Sequence, residues 1–345
     1  MPSWAPILFD QEHDQGDGWN ACGWTLAAVI ITVRHVLAAF LTTILYSISV
    51  VCGHRSAKLL GGSEANFWRL VCATVLLWIW SFTFGIGLSG AAFPLFLLSG
   101  VLGIGVGDVA LFQALPRLGS RLTMLLLQCL SAPLGAVIEW FWLGNGLSWA
   151  QIGCGVAIVL GVALALAPGD HLRITRRELW VGSLFAVLGA VGNASGAVLS
   201  RKAYSVAEAA GERIDGANAA FQRIIGGLVI GGICLLLVKW HQAGWRLVSP
   251  VLASVEQSRN KWRRAWPWVM ANSLAGQTLG VSCMQWALKT TPTGIVLAIT
   301  ATTPIVVIPF AMVFEGERPN RRSVIGGVIA VSGVIALALS RSAAR

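Results

Sequence analysis

Stretches of about 20 mostly apolar residues recur along nearly the whole chain, and that recurrence leaves it few folds. A helix rises 1.5 Å per residue, so about 20 residues cross the roughly 30 Å hydrocarbon core of a bilayer. Such stretches lie at Val36–His54, Asn66–Ile86, Phe93–Leu115, Arg121–Leu143, Trp149–Ala167, Leu179–Leu199, Ala219–Val238, Trp266–Leu288, Gly294–Phe314 and Ser323–Ser340. The reading is an all-α integral membrane protein of about ten transmembrane helices. Composition agrees: 56% of residues are hydrophobic and 12% charged, where a soluble domain is about half apolar and about a quarter charged. Little chain is left over for a soluble domain.

The ends and the charges refine this. The first 20 residues hold Asp10, Glu12, Asp14 and Asp17 and no basic residue, opposite to the positive start of a signal peptide, so targeting falls to the first span. Ala21–Val33 is apolar but too short to cross alone, and reads as an interfacial helix or an extension of the first span. The net charge is +10, yet the 25 Lys and Arg are scattered over short loops instead of one basic face, which argues against nucleic acid as a partner. Basic loops in such a chain are topology signals and contacts to anionic headgroups, making membrane lipids partners. The seven cysteines show no CxxC spacing and sit mostly in apolar spans, as small buried hydrophobes. Of the sixteen tryptophans, Trp140, Trp142, Trp149, Trp180, Trp266 and Trp268 cluster at span ends, as an aromatic belt does.

The chain also repeats itself. "GVAIVLGVALAL" (Gly155–Leu166) matches "GVIAVSGVIALAL" (Gly327–Leu339), an offset of about 172 residues. "ANFWRLV" (Ala65–Val71) matches "AAFQRII" (Ala219–Ile225), and "FQALPRLGSRLTML" (Phe112–Leu125) matches "QWALKTTPTGIVL" (Gln285–Leu297), with Pro133 and Pro304 falling within two residues of each other. These matches share one order, so the chain reads as two five-span units. An odd number of spans forces the second unit to enter from the opposite face, which makes an inverted pair. The expected organisation is an N-terminal extension over 1–35, a first repeat over 36–167, a connecting loop over 168–178, a second repeat over 179–340 and a tail over 341–345.

The segments "LGIGVGDVALFQALPRLGSRLTMLLLQCLSAPLGAVIEWFWLG" and "ALKTTPTGIVLAITATTPIVVIPFAMVFEGERPNRRSVIGGVIAVSGVIALAL" resemble the two EamA-type repeats of the drug/metabolite transporter superfamily. The likeness lies in the Ala-Leu ending the third span of each unit, the Pro in the fourth, the turn at Glu317–Pro319 and the Gly-rich fifth. The first repeat departs from it, with Gly144 or Asn145 where the turn Glu is usual. The resemblance implies a secondary transporter that moves a small metabolite or amphipathic compound by alternating access, as a proton-coupled carrier or exchanger. The expected partners are a small-molecule substrate and further copies of the chain in a homo-oligomer, and the expected location is the bacterial cell (inner) membrane. No cofactor or metal is expected, nor enzymatic activity. On orientation two arguments differ: the positive-inside rule puts both termini outside, the resemblance puts them inside.

Embedded polar groups are the candidate pathway. Asp108 lies about 4–6 Å from the centre of its span beside Gly103, Gly105 and Gly107, where a helix or a substrate can approach closely. A carboxylate at that depth faces the interior and can exchange a proton for a substrate. Glu139 lies shallower, about 10 Å past the middle of the fourth span. Gln113, Asn193, Gln285 and Thr303, with Asn272, Gln277, Thr300 and Thr302, are neutral polar groups able to line a cavity. Pro133, Pro304 and Pro309 interrupt the fourth spans and permit a gating bend. Arg69 and Arg223 open the second span of each unit, where a long side chain snorkels to headgroups. The rival classes are an intramembrane enzyme and a passive channel or accessory subunit. For the first, the five histidines lie near span ends or in loops, HExxH is absent, and Ser89 in "GLSG" has no embedded His beside it.

Overall fold

The computed structural model describes residues 18–143, 148–166, 175–245, 252–290, 293–316 and 320–343. Among them every regular element is a helix: α1 (Gly18–Leu60), α2 (Gly62–Thr83), α3 (Phe93–Gly100), α4 (Gly107–Leu143), α5 (Trp149–Leu166), α6 (Arg176–Ala209), α7 (Gly216–Trp245), α8 (Leu252–Asn272), α9 (Val281–Thr290), α10 (Thr293–Thr300), α11 (Thr303–Glu315) and α12 (Arg321–Ala343). A π-helical segment, Val101–Val106, joins α3 to α4, and another, Ser273–Gly280, joins α8 to α9. Their first residues stand at the same offset as the paired glycines of the fifth spans, so one backbone irregularity recurs in both repeats.

Eight helical stretches are long and apolar enough to cross a membrane. One of them, Phe93–Ile138, has 46 residues, about twice what crosses a bilayer. It breaks at Gly119, whose φ of 79° and ψ of 172° suit only a residue without a Cβ. The expected third and fourth spans lie on either side of that break. The expected eighth span, Trp266–Leu288, is helical through α8, the second π segment and α9, but carries Asn272, Gln277 and Gln285 and is not one of the eight. Helix α1 runs unbroken through Ala21–Val33 into the first span. The ends are shaped by local chemistry. Gly61, at φ 92°, turns the chain from α1 to α2. Thr175 and Glu178 form a reciprocal capping box that starts α6.

The relation between the repeats can be read from α5 and α12, the fifth span of each. Their glycines let the backbones touch: a Cβ on Gly161 would lie 2.6 Å from the Ala330 nitrogen, one on Gly326 2.6 Å from the Ala165 nitrogen, and one on Gly333 2.8 Å from Cγ1 of Ile158. As residue number rises along α5, the partner's number falls along α12, so these equivalent helices are antiparallel. The repeat offset carries Gly161 to Gly333 and Ile158 to Ala330, so it exchanges the members of the two contacts. Swapped contacts of this kind come from a two-fold relation, and antiparallel equivalents mean that one repeat is inverted against the other.

Candidate functional site

A cavity of about 80 Å³ lies where the repeats meet. Helix α1 contributes Tyr46, Ser49, Val50 and Gly53, α2 contributes Arg69, and the first π segment and α4 contribute Gly103, Ile104, Gly107, Asp108, Leu111 and Phe112, with Met124, Leu127 and Gln128 beyond the Gly119 break. The second repeat supplies Gly189 and Asn193 from α6, Arg223 from α7, Asn272 from α8, Gly276 and Gln277 from the second π segment, and Val281 and Met284 from α9.

Asp108 is the polar centre of that wall. Its Oδ2 lies 2.6 Å from Nη2 of Arg69 and accepts a hydrogen bond from Nε2 of Gln277, also at 2.6 Å. Arg69 comes from the same repeat and Gln277 from the other, so one carboxylate oxygen ties the halves together. Arg69 is held in turn. Its Nε and Nη2 donate to Oδ1 of Asn66 at 3.0 and 2.9 Å, and its guanidinium lies 4.5 Å from the centre of the Phe112 ring, a cation–π distance. Charge-assisted bonds of this kind are roughly twice as strong as neutral ones. The α6 backbone closes on this region because both sides are glycine: a Cβ on Gly192 would lie 2.7 Å from Cα of Gly107.

The structure sorts the remaining expected residues. Asn193 lines the cavity and donates from Nδ2 to Ser131 Oγ at 3.0 Å; Asn272 lines it and accepts from Ser49 Oγ at 2.8 Å. Gln113, Gln285 and Thr303 are not brought to it. Gln113 donates to Ser63 Oγ at 3.0 Å, Gln285 is fully buried with neither amide atom bonded among the described residues, and the Thr303 hydroxyl donates to the Thr300 carbonyl at 2.5 Å. Pro133 lies inside α4, which continues through it. Pro304 begins α11 just after the interruption that separates it from α10, and Pro309 lies inside α11. The Glu139 side chain and the turn at Glu317–Pro319 lie outside the described residues.

The arginines are a correction. Both begin about 10 Å in from the start of their helices at 1.5 Å per residue, a depth from which snorkelling is open to them. Instead they are 3% and 6% exposed and line the cavity. Arg69 turns inward because Asp108 stands within hydrogen-bonding distance. The repeated Phe-x-Arg was the signal in the sequence, since a pair kept in register by the repeat arrives at the junction from opposite faces.

Comparison with known proteins agrees with this architecture. No curated protein matches the chain. A solved structure described only as "Crystal structure of protein" superposes with a TM-score of 0.60 at 16% identity, over 89% of this chain and 96% of that one, a likeness of fold. The sequence model of the EamA-like transporter family matches twice, over residues 33–167 and 180–339, the two repeats almost end to end. That family consists of transporters rather than enzymes, and this chain, an integral membrane protein of two inverted helical repeats, belongs to the EamA-like transporter family.

Proposed function

We propose that the protein is a secondary transporter of ten spans, working by alternating access in a bacterial inner membrane and driven by proton exchange at Asp108. One observation carries the reading: a half-buried carboxylate at a cavity lined by both repeats accepts from Arg69 of its own repeat and Gln277 of the other. A change in the charge of that group acts on the bond between the halves. Protonation turns Asp108 into a weaker acceptor, loosens Gln277, and leaves Arg69 to its remaining partner Asn66, so the repeats are free to rock. Deprotonation restores the link. The charged and titratable groups facing Asp108 in the cavity are Arg69, Arg223 and Tyr46, two of them cations.

Asp108→Asn keeps the volume and removes the titration. In proteoliposomes under an imposed pH gradient, the variant loses uphill accumulation of the compound that the wild type concentrates, and retains downhill exchange, which needs no net proton release. Accumulation equal to wild type would show that Asp108 only packs helices.

A further inference from the structure

Arg223 is the pseudo-equivalent of Arg69 and lines the same cavity, but its surroundings differ. Arg69 meets a carboxylate; Arg223 meets glycines. A Cβ on Gly103 would lie 2.9 Å, and one on Gly196 3.2 Å, from its Nη2, so the guanidinium rests against bare backbone. Among the described residues no carboxylate pairs with it and its Nε has no hydrogen-bond partner, although the residue is only 6% exposed. A guanidinium carries five donors in a planar fork and cannot shed its proton. Burying one without a counter-charge is costly, and the cost falls when an anion is bound.

We infer that Arg223 is the anion-binding end of the cavity and that the transported molecule carries a single carboxylate. The charge balance sets the valence. Arg69 and Asp108 neutralise each other across 2.6 Å, which leaves one positive charge among the groups lining the cavity, at Arg223. A monoanion balances it, whereas a dianionic phosphate leaves an excess negative charge in a desolvated site. The fork geometry suits two parallel bonds to a carboxylate. Val50, Ile104 and Met284 give part of the wall an apolar surface that accepts a small hydrocarbon body. Gly103 has a part in this: the nearest atom to a Cβ there is Nη2 of Arg223, so a side chain would push the guanidinium off its seat.

This inference rests on the proposed transport role, but its test reads binding alone. Propionate, propionamide and propionamidine have nearly one shape and carry negative, zero and positive charge. They are added at millimolar concentration and constant ionic strength to the purified full chain in detergent, and thermal unfolding is followed. Propionate raises the midpoint and saturates; the amide and the amidine do not. Arg223→Met weakens propionate by about tenfold to a hundredfold, the worth of a charged hydrogen bond, and Arg223→Lys keeps part of the effect. Without any probe, Arg223→Met unfolds no earlier than wild type, whereas Arg69→Met, which strands Asp108, unfolds earlier. The inference is overturned if no probe shifts the midpoint, if the three act alike, if the amidine is preferred, if propionate still binds Arg223→Met, or if that variant is destabilised as Arg69→Met is. Propionate binding with no accumulation in proteoliposomes removes the transport role and leaves the anion site standing. Accumulation of a cation does the reverse.

Discussion

Asp108 and Arg69 show how a pair of one buried and one half-buried charge differs from its members. Removing one partner leaves the other charged and largely desolvated, which costs at most about 3–5 kcal/mol, while removing both costs much less. Arg69→Gln is therefore expected to lower stability by about that amount, and Arg69→Gln with Asp108→Asn to recover most of it. A double-mutant cycle in denaturant or heat reads the coupling, and simple additivity of the two losses would contradict the pairing. Asp108 could be picked out from the sequence because a carboxylate in the middle of an apolar span demands compensation. Its partners could not. Arg69 lies at a depth from which a long side chain reaches either the headgroups or the centre, and only the position of Asp108 decides between them. Gln277 was one polar residue among many until the second π segment placed it 2.6 Å from that carboxylate.

At the scale of elements, α5 and α12 pack through glycines whose replacements meet different atoms. A Cβ on Gly161 runs into the backbone of Ala330 at 2.6 Å, which can move only if the helices part. At Gly333 the nearest atom, at 2.8 Å, belongs to the Ile158 side chain, which can change rotamer. At Gly155 nothing lies within 4 Å. The expected order of destabilisation is Gly161→Ala, by about 1–3 kcal/mol as overpacking, then Gly333→Ala, with Gly155→Ala neutral or slightly stabilising because alanine is the better helix former. Thermal unfolding of the three variants checks it, and equal effects at Gly161 and Gly155 would contradict the close approach. The pattern of paired glycines was visible in the two matching strings; which of them touches backbone was not, because that depends on the crossing point of the helices.

For the whole molecule, alternating access requires that each mouth of the cavity be able to open. Near the end of α1, Nδ1 of His54 lies 2.9 Å from Oε2 of Glu315 at the end of α11, joining the repeats at one mouth. Helix α2 runs back from there, and at its far end Ser81 donates to Asn218 of α7, whose Oδ1 also accepts from the backbone nitrogens of Ile86 and Gly87 at 3.0 and 3.1 Å. Under the proposed alternating access, these contacts are the expected latches of opposite mouths. A Ser49→Cys reporter on the cavity wall, with the native cysteines replaced, should react faster with a membrane-impermeant maleimide from one side when Glu315→Gln is added. With Asn218→Ala it should react faster from the other side. Acceleration from the same side by both would contradict the assignment of mouths.

Sequence alone determined the solvent, the helical class and the repeat, because each is a property summed over about 20 residues or more: apolar length against bilayer thickness, and glycines that recur in register. The five spans read in each unit pointed to inversion, and the antiparallel pairing of α5 with α12 agrees. What the tertiary structure decided was which polar side chains converge. Gln113, Gln285 and Asn193 are all polar residues within apolar spans, yet only Asn193 reaches the cavity. The face a helix turns inward, the close approach permitted by Gly107 against Gly192, and the meeting of Asp108 with residues from both repeats depend on contacts between segments far apart in the chain, 169 residues in the case of Asp108 and Gln277. Such contacts leave no local trace in the chain, since each residue is satisfied only by a partner that folding brings to it.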